Sequence, residues 1–86
     1  MNRITDDSQL RILLRSFRRA RGMTQADVAK VLRVTVSRVS VMEREPEKLS
    51  VTNLLALLRA LGAQMSVGFA EQYDAARVRE SAAAEW

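Results

Sequence analysis

Apolar residues return at helical spacing through most of the chain. Leu10, Leu13, Leu14, Phe17 and Ala20 share one face and predict an amphipathic helix over residues 9–20, with Arg11, Arg15 and Arg19 four apart on the opposite face. Asp6, Asp7 and Ser8 stand where capping and dipole effects favour them, and Gly22 stands where a helix stop is expected. Thr24 and Asp27 have capping-box spacing, which predicts a second, short helix with Val28, Ala29 and Leu32 inward. After a break at Arg33–Val34, Thr35 can cap a third helix with Val39 and Met42 on its inner face, ended by Pro46. Ser50 can cap a fourth over residues 51–61, with Val51, Leu54, Leu55, Leu57, Leu58 and Leu61 packed round it and Gly62 as its stop. The period then changes: Met65, Val67 and Phe69 alternate with Gln64, Ser66 and Gly68, a strand pattern. Residues 71–86 have few large apolar residues and no stripe, and read as a mobile tail. Met23, Met42 and Met65 read as core filler.

The 86 residues suffice for one small core. Cysteine and histidine are both missing, which removes disulfides, thiolate metal sites and the commonest general base. No phosphate-binding loop and no pair of carboxylates placed for acid–base work is visible, so neither an enzyme nor a cofactor or metal is expected. The first ten residues lack the apolar stretch of a signal peptide and no apolar run is long enough for a bilayer, so the expected location is the cytoplasm, at the bacterial nucleoid, with no membrane partner. The net charge of +4 is unevenly spread: residues 1–44 hold ten basic and four acidic residues, whereas residues 45–86 hold four and six. A basic front half suggests a local patch for phosphates, although for Arg11 and Arg15 a plain solvated face explains the charge equally well.

Two short helices joined by a tight turn are the minimum device for placing a helix in the major groove. With Val39 and Met42 inward, a wheel of about 100° per residue sends Ser37, Ser40, Val41 and Arg44 outward, with Val36 and Arg38 at the margins. Hydroxyls can bond base edges or phosphates, a valine can pack on a thymine methyl, and arginine suits guanine or phosphate. Gln25, at the start of the second helix, could reach a phosphate where helix N-terminal amides already favour anions. Arg18 borders Leu14 on its wheel, which favours a structural ion pair over a DNA contact.

The segment from Phe17 to Pro46 resembles the XRE (lambda-repressor-like) helix-turn-helix family through Arg18, Gly22, Thr24, Gln25, Ala29, Val34, Thr35, Val39, Ser40 and Glu43. The resemblance covers residues 9–62. It implies an all-α, four-to-five-helix domain, to which the alternation at 64–69 adds one short C-terminal strand, expected to pair across a homodimer. It further implies an internal ion pair between Arg18 and Glu43, a capping role for Thr24, a phosphate contact by Gln25, and base reading by the first half of the third helix, which places Thr35 and Val36 in the interface with the outward set. Where the family usually has glycine at the turn, this chain has Arg33, so that residue must accept an unusual backbone geometry.

The strand after the fourth helix and the short tail ending in Trp86 resemble the HipB antitoxins within that family. That likeness implies autorepression of an operon and pairing with a HipA-type serine/threonine kinase toxin. The expected organisation is a DNA-binding domain at 1–62, a dimerisation strand at 63–70 and a tail at 71–86. Met65, Val67 and Phe69, with Leu55 and Leu58 alongside, would form the dimer contact, because a lone strand needs a partner and the chain offers no second one. Trp86, the sole tryptophan, would dock into the kinase. Expected partners are therefore double-stranded operator DNA, a second copy of the chain and a HipA-like kinase. Two other readings stay open: a stand-alone XRE repressor with no toxin, and a helical interaction module that has lost DNA binding.

Overall fold

The computed structural model describes residues 3–69. Helix α1 spans Asp7–Ala20, α2 Gln25–Leu32, α3 Val36–Arg44 and α4 Val51–Ala60, with a single 3-10 turn at Pro46–Lys48 between the last two. Each α-helix begins on a side-chain oxygen that accepts from a first-turn amide: Asp6 from Gln9 N (3.0 Å), Thr24 from Asp27 N (3.1 Å), Thr35 from Arg38 N (3.0 Å) and Ser50 from Asn53 N (3.1 Å). Such caps contribute about 1 kcal/mol apiece by satisfying amides that have no partner within the helix. The box on α2 is complete, because Asp27 Oδ2 accepts in turn from Thr24 N at 2.8 Å. That backbone hydrogen bond holds the Asp27 carboxyl below the usual aspartate range, and the Ser8 hydroxyl does the same for Asp6. The Asp6 cap also starts α1 two residues earlier than apolar spacing alone suggests.

Three helices end in one hydrogen-bond pattern. After α1, Gly22 N donates to Arg19 O and Met23 N to Arg18 O; after α2, Arg33 N donates to Lys30 O and Val34 N to Ala29 O; after α4, Gly62 N donates to Arg59 O and Ala63 N to Leu58 O. These are Schellman closures, each turning on one left-handed residue. Gly22 (φ 65°) and Gly62 (φ 70°) occupy two of those positions without steric cost, whereas the third is Arg33 at φ 58°. The helix-turn-helix bend is therefore made, but on a residue whose Cβ crowds its own backbone.

The core is built by one or two residues from each helix: Leu14 of α1, Val28 and Ala29 of α2, Val39 and Met42 of α3, Leu57 and Leu58 of α4, and Leu61 just beyond it. Leu10, Phe17, Met23, Leu32, Leu49 and Leu54 close its margins. Ala29 is buried between turns, where a larger side chain would hold the helices apart. Pro46 is fully buried and starts the 3-10 turn, so it packs as well as ending α3.

Three core expectations are corrected. Val51 is 69% exposed and Leu55 sits on the solvent side of α4, because the core face of that helix is already filled by Leu54, Leu57, Leu58 and Leu61. Met65 is exposed rather than core filler. Leu58, expected at a dimer contact, is 4% exposed inside the core and so is unavailable to a second chain. Residues 63–69 carry no regular secondary structure, and no strand occurs among the described residues; a strand is defined by ladder hydrogen bonds to a neighbour, which one chain does not provide here. The tail at 71–86, with Trp86, lies outside the described residues.

Candidate nucleic-acid interface

The site rests on one carboxylate. Glu43, on the inner side of α3, is 3% exposed and uses both oxygens. Its Oε1 accepts from Arg18 Nε of α1, and its Oε2 accepts from Gln25 Nε2 at the start of α2, at 2.7 Å. Arg18 Nη1 also donates to Met23 O, at 3.1 Å, in the connection between α1 and α2. A single side chain thus ties α1 and α2 to α3 and fixes the position of α3 relative to the helix that braces it. The pair is largely removed from water, with Arg18 at 13% exposure, so its bonds are strong only while all partners remain. No buried side-chain nitrogen or oxygen among the described residues lacks a partner.

On this support, α3 turns a short surface to solvent. Val36, Ser37, Arg38 and Arg44 are exposed, and Ser40 and Val41 are half-buried at its edge. Val36 is 46% exposed although apolar, a poor choice for solubility and a suitable one for packing against a base methyl. Thr35 is exposed at the helix start, where its oxygen already accepts from Arg38 N, which leaves its hydroxyl hydrogen to donate outward. The structure therefore brings Thr35, Val36, Ser37, Arg38, Ser40, Val41 and Arg44 onto one helix and keeps Val39 and Met42 beneath them.

Gln25 has a structural role beside the expected phosphate contact. Its amide nitrogen donates one hydrogen to Glu43, so it is a member of the internal network, and its other N–H and its carbonyl oxygen stay uncommitted. The second N–H of that amide can donate to a phosphate oxygen while the first stays on Glu43. Arg21 is a structural residue that the pattern of apolar and polar positions did not single out. It lies just past α1, and its guanidinium reaches across to the end of α4, where Nε donates to Leu61 O (3.2 Å) and Nη2 to Gly62 O (3.1 Å). A cation at those carbonyls offsets the negative end of the α4 dipole. The signal that could have found it is a cation at a helix exit in a chain with a second exit at Gly62, which does not by itself say that the two meet.

Among the described residues, no cluster of acidic side chains could hold a metal ion, and no helix is long and apolar enough to cross a membrane.

Comparison with known proteins agrees with this geometry. The chain is similar in fold to a solved HipB–O1–O2 complex, with a TM-score of 0.72 and 23% sequence identity, over 80% of this chain and 100% of that one. No curated protein matches the sequence. The family model described as helix-turn-helix matches residues 14–67, which run from the core leucine of α1 through the whole of α4. With the match spanning well over half of its length, the chain belongs to the helix-turn-helix family of DNA-binding regulators.

Proposed function

We propose that this protein is a sequence-specific repressor that binds double-stranded operator DNA as a homodimer and serves as the antitoxin of a HipA-like serine/threonine kinase, repressing its own operon. The observation that carries the DNA reading is α3 itself: a helix held from beneath by Glu43, Arg18 and Gln25, with small polar, small apolar and cationic side chains outward. Ser37, Ser40 and Val41 read bases, Val36 packs against them, and Thr35, Arg38 and Arg44 contact the backbone. The test is a gel shift with DNA from upstream of the protein's own reading frame. Ser40→Glu should abolish the shift while circular dichroism keeps its helical signal, and unchanged affinity in that variant refutes the assignment.

The homodimer reading is supported by an apolar surface that the single chain leaves in water. Val51 and Leu55 lie one turn apart on α4, and Met65, Val67 and Phe69 follow at 46%, 92% and 86% exposure. Pairing of residues 63–70 about a two-fold axis would cover them and set two copies of α3 about one helical turn of DNA apart, ~34 Å. Sedimentation should show a dimer at micromolar concentration without DNA, and a Val67→Pro variant should be monomeric.

The antitoxin role is supported by the fold likeness to HipB and by the sequence of the tail, with Trp86 as the residue that docks on the kinase. Removal of Glu85 and Trp86 should weaken capture of a co-expressed HipA-like kinase and leave DNA affinity unchanged. If no kinase co-purifies and no kinase-like reading frame adjoins the gene, the stand-alone repressor is the correct reading.

A further inference from the structure

A groove of about 510 Å³ runs between α1 and the end of α3, lined by Arg11, Ile12, Arg15, Ser16, Arg19 and Arg44. Four of its six lining residues are arginines, and among the described residues none of those four guanidinium groups makes an ion pair or a hydrogen bond. Arg11, Arg15 and Arg19 stand four residues apart, so a rise of about 1.5 Å per residue puts their charges in a row with steps of roughly 6 Å. Like charges at that spacing disfavour the helix that carries them. A chain that only needed a solvated face would gain from interleaving acids, as the back half of this one does.

We propose that this groove is a second phosphate-binding surface, which holds the DNA backbone flanking the half-site read by α3; the inference rests on the DNA-binding reading above. The choice of occupant follows from two features. The groove is continuous with the recognition helix, since Arg44 is both the last residue of α3 and part of its wall. Its chemistry is cationic with one exposed isoleucine, and guanidinium groups bind phosphate oxygens through paired N–H donors. DNA leaving the major groove beyond Arg44 meets the arginine row of α1. This surface contributes affinity and salt dependence and carries no sequence information.

The experiment is fluorescence anisotropy of a labelled 30-bp mixed-sequence duplex between 50 and 200 mM KCl. The proteins compared are wild type, Arg15→Gln/Arg19→Gln, and a charge-matched control, Lys30→Gln/Arg59→Gln. The groove variant should show a log K against log[salt] slope less negative by about 1.8 per protomer, at roughly 0.9 for each phosphate that is no longer neutralised, and the control should stay near wild type. Its melting temperature without DNA should not fall, because like charges have been removed from one helix face. Should the double variant lose helical signal, Arg15→Gln alone gives the same reading at half the shift. Equal slopes for groove variant and control overturn the proposal and leave α3 recognition standing. Loss of binding to poly-L-glutamate with an unchanged DNA slope overturns it in favour of an acidic protein partner. A wild-type protein that binds no duplex at 50 mM KCl overturns the DNA reading itself, and this proposal with it.

Discussion

Replacement of Glu43 by alanine tests the claim that one carboxylate assembles the reading head. In that variant Arg18, at 13% exposure, keeps only the Met23 carbonyl, and Gln25 loses its acceptor. Removing one partner of a buried ion pair costs about 3–5 kcal/mol, because the remaining charge stays desolvated and unpaired. A domain of this size has roughly 3–10 kcal/mol in total, at about 0.05–0.15 kcal/mol per residue. The variant should therefore lose a third or more of its stability, a fall of about 12–40 °C in Tm. Glu43→Gln should fall between wild type and alanine, since Gln25 can turn its amide to bond the new one. Replacing both Arg18 and Glu43 by methionine removes the charge along with its partner, so the pair of substitutions should cost less than the sum of the two single ones. Urea denaturation of the four proteins of that cycle, analysed for equal m-values, gives the coupling. A loss below about 1 kcal/mol for Glu43→Ala, or a coupling indistinguishable from zero, would show that the network positions nothing and that packing of Val39 and Met42 alone holds α3.

Arg33→Gly should stabilise the protein by up to about 1 kcal/mol, since the strain of a left-handed arginine at φ 58° exceeds the added freedom of the unfolded chain; a lower Tm would contradict the strain. Gly62→Ala should cost about 2 kcal/mol in thermal unfolding, because a Cβ there would lie 2.5 Å from Arg21 Nη2 on a backbone at φ 70° and would dislodge the cap on α4. Arg21→Ala, which removes the guanidinium that Gly62→Ala would displace, should make that second substitution less costly. Both Asp6 and Asp27 have folded-state pKa values below the ordinary 3.8, so their contribution is complete above that value and is lost as the pH falls below it. Acid titration of the Asp27→Asn variant should show a shallower loss of helix below pH 4 than wild type.

The helix starts were legible in the chain because they are local. Thr24 with Asp27, Thr35 and Ser50 act on amides three residues away, and Asp6 does the same for α1. The stops at Gly22 and Gly62 depend on a backbone freedom that glycine carries anywhere, and Arg33 was recognisable as the one stop made without it. Much of the candidate site was legible for a similar reason, since the period of α3 separates Val39 and Met42 from Ser37 and Arg38 whatever lies beneath. The sequence alone could not allocate the leucines of α4. With Leu54, Leu55, Leu57, Leu58 and Leu61 within eight positions, the apolar surface is wider than one face, and only the neighbours decide that Leu58 goes inside and Leu55 outside. Nor could it place the polar contacts made across long separations. Gln25 is 18 residues from Glu43 and Arg21 is 40 from Leu61, and only packing brings those acceptors within reach. Residues 63–69 mark the same boundary: alternation along a chain can predict a strand, but its hydrogen bonds belong to a neighbour, which the tertiary structure of one chain does not supply.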